Sequence, residues 1–467
     1  MRKCTRRASV SPMAFLRKQF AQAEGLPFSE VLSAAAVVQA LQAAGVEDDE
    51  RVYTSEILFW VFLSQVISAD QSCRAAVARL IAHRVAGGEA PCSAETGAYC
   101  QARQRMPEGV FAQCVRQTAG QLDRQAAEEW RWKGRHVKIA DGTTCSMPDT
   151  PANQAAYPQP SSQAPGVGFP LLRLLAVFSL AVGVVLDMRF CRFAGKYQSE
   201  LGLLRQLWDL FTPGDVVLTD RYLCSWFEIA LLKQRGIDVV MRVHQAREVD
   251  FCRGQRLGRN DHVVVWPKPA QRPDWMDEAT YAALPNELVM REILVQVGQK
   301  GFRTEEVIVA TTLLDPEAYT QDEIADLYRA RWYAELDLRS LKETMQMDVL
   351  RGKTPEIVRK EIWVHVLAYN LIRTVMAQAA QRHGILPRTI SFKGAMQTLQ
   401  AFQPHLAAAS PEELPRLCAA IWEAVATHRV GDRPDRYEPR VKKRRPKPYK
   451  LLTQPRREAR IALCNKT

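Results

Sequence analysis

The chain has 467 residues, 47% of them hydrophobic and 24% charged, which fills the cores of two or three domains and excludes a chain disordered throughout. Its formal charge of +12 is uneven, since residues 431–467 hold 13 Lys or Arg against 4 Asp or Glu, a net +9 (13 − 4). A tail of that sign suits nucleic acid or an anionic membrane better than a small metabolite, set against the plainer reading of a tail kept basic for solubility.

The eleven cysteines are scattered without a Cys-x-x-Cys pair or a histidine at zinc-like spacing, the pattern of reduced intracellular thiols. The N-terminus begins basic but shows no apolar segment and cleavage site of a secretory signal. The longest apolar run, 174–186, spans 13 residues (174 to 186 inclusive), short of the roughly 20 that a membrane helix needs. Its valines around Gly183 predict two buried strands meeting at a turn. The expected location is cytoplasmic, with no membrane partner.

In chain order, residues 53–83 and 95–128 carry apolar residues at spacings of three and four, predicting an N-terminal helical region that ends near Glu128. A short apolar strand then ends at Asp141, before Gly142 and Thr143, and a loop rich in Pro, Gln and Ser covers 147–170. Val216 to Thr219 predicts a strand ending at Asp220. From Ile237 to about Leu314 further strand-like pieces separated by polar turns predict a mostly β insertion. Helix returns at 320–345, where Thr320 and Glu323 have the spacing of a capping box. A second helix has Pro355 in its first turn and Gly384 at its end, and a third helical region, 387–427, precedes the basic tail.

On the 320–345 helix, Tyr328, Arg331, Glu335, Arg339 and Lys342 follow one another at offsets of 3, 4, 4 and 3 and so share a face, while Asp337 points away from it. Taken alone, that face reads equally as a solvated surface laced with ion pairs. The rest of the chain weighs against this, because Asp141 and Asp220 each stand where a strand gives way to a loop, a place where α/β folds carry reactive groups. Three gathered carboxylates would repel one another, and divalent cations would offset that while needing oxygen ligands. Asp149, Asp187 and Asp209 compete for the first two positions and are read as structural or solvated; His136 is read as packing beside its strand.

These residues resemble the DD-E transposases of bacterial insertion sequences, and within them the IS4-like group with a Tyr-Arg-Glu-Lys signature. Asp141-Gly142-Thr143 matches the group's first acid in its Asp-Gly-Thr context and Asp220-Arg221 its second. Tyr328, Arg331, Glu335 and Lys342 meet the signature spacing in full. The resemblance implies an α/β fold, a ribonuclease H-like catalytic core interrupted by a mostly β insertion, with an N-terminal helical domain and a helical, basic C-terminal region. The expected division is 1–128 for a helical domain binding element ends, 129–231 and 315–385 for the two parts of the core, 232–314 for the insertion, and 386–467 for the C-terminal region.

The resemblance also implies that Asp141, Asp220 and Glu335 are catalytic and hold two divalent ions, Mg²⁺ physiologically with Mn²⁺ admitted by the ligand chemistry. Tyr328, Arg331, Lys342 and, less directly, Arg221 would contact DNA. The implied partner is double-stranded DNA, as inverted-repeat ends and as target, bound by a homodimer in a synaptic complex. Trp266 and Trp275, in the expected insertion, could stack on a displaced base but read equally as core or turn residues. The rivals are a nuclease on the same fold that only hydrolyses DNA, a non-enzymatic DNA-binding derivative, and a structural helical protein with a basic tail.

Overall fold

In the computed structural model, residues 31–46, 52–196, 198–296, 306–431 and 450–465 are described. Most of the basic residues of the tail fall at 432–449 and lie outside them.

The apolar runs form nine strands of one mixed sheet: β1 (Val137–Ser146), β2 (Leu171–Ser179), β3 (Val185–Arg192), β4 (Val216–Thr219), β5 (Asp238–Arg242), β6 (Gln255–Gly258), β7 (Asp261–Pro267), β8 (Glu287–Gln296) and β9 (Glu306–Thr311). Their order across the sheet is β3-β2-β1-β4-β5-β9-β8-β7-β6. The run read as two strands and a turn is β2 and β3, antiparallel, and Gly183 takes φ +81° in the turn between them, where a side chain would be strained. β1, β4 and β5 run parallel to one another, while β9, β8, β7 and β6 continue the sheet antiparallel.

Strand residues alternate between two buried layers. Ile139, Leu174, Val216 and Leu218 face the same side as the N-terminal helices, the signature helix and the long helix Pro355–His383. Ala140, Leu175, Val217 and Val239 face the short helices Glu200–Arg205 and Trp226–Gln234. Burial on both faces explains why these strands read as continuous apolar runs. The molecule is thus a mixed α/β structure with a large sheet covered by helices on both sides.

The helix Pro355–His383 is buried along most of its length, begins with Pro355 and ends at Gly384 in the left-handed conformation (φ 60°). Around it pack Ser55–Ile67, Glu108–Arg124 and Leu414–Thr427. The stretch read as an insertion does not stand apart from the sheet. Its first strand, β5, is the third member of the parallel set, and β9 returns beside it with Val240 opposite Thr311.

Candidate active site

The site is built where β4 stops. β1 and β4 pair from Val137↔Val216 to Ile139↔Leu218, and Asp141 and Asp220, each two residues beyond that last pair, line the same cleft. Asp220 follows the last residue of β4, as expected, and its Oδ1 accepts the backbone N–H of Tyr222 at 3.0 Å. The expectation that β1 ends at Asp141 is corrected: the strand continues to Ser146, with Asp141 paired to Ala176 of β2. Glycine and threonines after an acid suggest a loop, but hydrogen bonding to β2 keeps them extended. What ends at this level is β4, which leaves one edge of β1 open.

Across that edge lies the signature helix, helical over Gln321–Ala330 and Trp332–Arg339 with a wider π-turn at Ser340–Thr344. Its start is fixed twice over. Thr320 Oγ1 accepts from Glu323 N at 3.3 Å and Glu323 Oε2 accepts from Thr320 N at 2.9 Å, the capping box read in the sequence. The preceding Tyr319 stacks on Trp132 and its carbonyl accepts from buried Arg291 of β8 at 2.6 Å. Leu327, Ala334 and Leu341 are buried in the core, and Tyr328, Arg331, Glu335, Arg339 and Lys342 all line one open cleft of about 920 Å³ with Asp141, Asp220 and Arg221.

Within the cleft, Arg331 bridges two carboxylates, with Nη2 2.7 Å from Glu335 Oε1 and Nη1 3.8 Å from Asp141 Oδ2. Lys342 donates to Thr144 O of β1 at 3.0 Å and lies 3.4 Å from Thr143 Oγ1, which ties the π-turn to β1. The ion-paired face of the rival reading is therefore present, as Arg331–Glu335 and Arg339–Glu343 along the helix, but Arg331 also reaches Asp141 of β1.

Electrostatics distinguish the acids. Burial pushes the Asp141 carboxyl up to about 7; Arg331 and the Gly142 N–H oppose this, while Glu335 and Asp220 add to it. Burial also raises the Tyr328 hydroxyl despite Arg331 and Arg242 nearby, so it remains a donor. Desolvation opposes the charge of Arg331, yet Tyr328, Glu335 and Asp141 outweigh it and raise its pKa. Asp141 is thus a carboxyl lacking enough positive charge to ionise freely at neutral pH. Carboxylate oxygens are the hard donors a divalent cation takes, and burial holds one of them, Asp141, partly protonated without one; as placed, no three acidic, His or Cys side chains among the described residues stand close enough together to hold a metal ion.

The competing acids lie elsewhere. Asp187 is buried against Arg116 (2.9 Å) and Arg189 (2.7 Å), Asp209 pairs with Arg235 at 3.4 Å, and Asp149 accepts from Gln154 at the surface. His136 approaches buried Asp123 at 3.4 Å. Asp337, expected to be an indifferent acid on the far face, is buried between Arg373 and Arg388, the latter at 2.7 Å. Helical spacing shows that it faces away from the cleft but not what it meets there. Arg221, for which a neighbouring acid was an alternative partner, bonds Gln245 at 3.1 Å and the Tyr222 hydroxyl at 3.3 Å.

Five cleft residues were missed by sequence reasoning: Tyr222, Arg242, Leu338, Glu343 and Asp348. Arg242, the last residue of β5, occupies the strand-end position that flagged Asp220, and that signal was available; Tyr222 and Asp348 carried none.

The model of the transposase DDE domain matches residues 132–371, a span that holds every cleft residue named above. The chain belongs to the DDE transposase family. It is 27% identical over 414 residues to the transposase InsG for insertion sequence element IS4 of Escherichia coli, covering 87% of this chain and 88% of that one, which bears out the IS4-like resemblance. A shorter match, 35% over 69 residues, is to the transposase for insertion sequence element IS421 of Escherichia coli, covering 15% of this chain and 19% of that one. Among solved structures, a piggyBac transposase synaptic complex with hairpin DNA aligns over 90% of this chain and 87% of that one at 11% identity, with a TM-score of 0.41. This DDE transposase has, among the described residues, no helix long and apolar enough to cross a membrane.

Proposed function

We propose that this DDE transposase binds the inverted-repeat ends of its own element as a homodimer, cleaves phosphodiesters there, and joins the freed 3′ ends to target DNA. The supporting observation is the meeting of Asp141, Asp220 and Glu335 with Tyr328, Arg331 and Lys342 in one cleft. The strand order β3-β2-β1-β4-β5, three antiparallel strands followed by two parallel ones, supports a ribonuclease H-like core.

Asp141, Asp220 and Glu335 are the residues that would hold two Mg²⁺ ions, which when bound activate the attacking oxygen and stabilise the leaving one. Arg331 is set to exchange its hold on Glu335 for a phosphate oxygen, presenting two N–H groups in a fixed plane. Tyr328 donates its hydroxyl to the same phosphate, and Lys342, anchored on β1, adds a point charge on the other side. Thr143 and Thr144, held extended against β2, keep Lys342 and Asp141 on one rigid edge.

The test is an assay with paired element ends in which cleaved and joined products are detected separately. Both should form with the parent chain and neither with Glu335→Gln. Cleavage without joining by the parent would favour the nuclease reading, and binding without either product the non-enzymatic one.

A further inference from the structure

The end of the signature helix is held in an unusual shape. Its wide turn at Ser340–Thr344 is closed by the Met345 N–H, which donates to Ser340 O at 3.0 Å. The next residue, Gln346, takes φ 60°, a conformation that a residue with a side chain adopts at a cost and keeps only where its surroundings impose it. Lys342 leaves the helix inside this turn, where each residue advances less about the axis than in an α-helix. Its aim at Thr144 of β1 therefore depends on the turn being kept.

A clamp on this turn comes from the N-terminal helices. Gln71, in the loop between the helices Ser55–Ile67 and Cys73–Ala86, is buried, and its Nε2 donates to Met345 O at 2.9 Å and to Val66 O at 2.8 Å. Both N–H groups of the amide are thereby used. The backbone of Gln71 is held in turn: its carbonyl accepts from Gln65 Nε2 at 2.6 Å, and Gln65 Oε1 accepts from the Tyr99 hydroxyl at 2.6 Å, all of them buried. A buried carbonyl deprived of its donor costs more than an ordinary hydrogen bond gains. Without Gln71, the Met345 peptide would therefore turn toward another donor and take the closing bond of the turn with it.

We infer that Gln71 is a positioning residue for the reaction: by clamping Met345 O it keeps the wide turn from relaxing and so holds Lys342 where it meets the phosphate. Gln71 lines no part of the cleft and acts through Lys342. The inference rests on the reading of the cleft as the site of DNA cleavage.

The test is a double-mutant cycle on the full chain, with paired duplexes of the terminal repeat that flanks its own coding sequence. Single-turnover cleavage in Mg²⁺ and repeat affinity in Ca²⁺ are measured for the parent, Gln71→Met, Lys342→Ala and the double variant. Methionine keeps the length of glutamine but has no N–H to donate. Gln71→Met should cleave about tenfold more slowly than the parent at unchanged affinity. In the Lys342→Ala background the same change should leave the rate within about twofold, because the group it acts through is already gone. Thr54→Ala removes the cap of the helix Ser55–Ile67, where Thr54 Oγ1 accepts from Ile57 N at 3.3 Å, without touching Met345, and should cleave at the parent rate. Gln71→Asn, one methylene too short to reach both carbonyls, takes the place of the methionine chain if that folds poorly and carries the same expectations. Parent-like cleavage by the Gln71 variants, slowing by the same factor in both backgrounds, or equal slowing by Thr54→Ala would overturn the inference while leaving the cleavage reading intact. A parent chain that bound the repeat but cut nothing in Mg²⁺ would overturn both.

Discussion

Asp141 shows how far one carboxyl can depart from its ordinary behaviour. With its pKa moved from 3.8 to about 7, the folded chain binds more protons at this site than the unfolded chain between those values. Stability therefore falls as pH rises through that window and levels off above it. Asp141→Asn removes this dependence, and should stabilise the ion-free protein by about 2 kcal/mol more at pH 8 than at pH 5. Thermal unfolding of parent and variant in chelator at the two pH values checks this; an equal gain at both would refute the assignment. Two further substitutions separate roles on the signature helix. Glu335→Gln should abolish cleavage and joining while binding to element ends survives, and Lys342→Ala should slow both by disturbing phosphate placement.

Asp337, two residues beyond Glu335, has a different task. Its carboxylate is buried between two guanidiniums, and Arg388 also donates to Ser179 O and Leu180 O at 2.7 Å each. Asp337→Asn should destabilise the fold by roughly 3 kcal/mol, because removing one partner leaves buried charge uncompensated. Denaturant unfolding measures it, and an unchanged midpoint would contradict the network. The sequence disclosed Glu335 through a spacing shared with two cations. It disclosed nothing of Asp337, whose partners lie 36 and 51 residues away (373 − 337 and 388 − 337).

Among elements, those whose signal is local were legible and those defined by a neighbour were not. The Thr320 capping box, Pro355 at a first turn and Gly384 at a helix end each depend on a few adjacent residues, and all appear where the sequence puts them. The extent of β1 depends on β2, which begins 25 residues after the end of β1 (171 − 146), and local composition suggested a loop instead. The turn between β2 and β3 illustrates the same dependence. A Cβ at Gly183 would stand 2.8 Å from Arg388 and 3.0 Å from Arg373, at a positive φ. Gly183→Ala should therefore loosen the Asp337 network as well as strain the turn, costing more than the roughly 1 kcal/mol expected for Thr320→Ala at the helix cap. Comparing the two variants by unfolding midpoint tests that order, and the reverse order would count against the coupling.

For the whole molecule, the charge excess at 431–467 remains the main sequence signal for a long anionic partner. A chain ending at Val430 should bind specific and unrelated DNA more weakly, with a shallower dependence of affinity on salt, because fewer counterions are released. Identical affinity and salt slope for the two chains would assign the tail to another task.

The nine-stranded sheet has a mechanical consequence. β9 is hydrogen-bonded to β5, and β8 supplies the Arg291 that grips Tyr319 at the entrance to the signature helix. A load applied to β7 or β8 by a bound nucleic acid would be shared by the sheet hydrogen bonds and delivered to the first turn of the helix that carries Glu335. Swinging this region away like a hinged lid would mean tearing the β5–β9 ladder, so the sheet hydrogen bonds resist any movement of β6 to β9 independent of the strands beside Asp141 and Asp220.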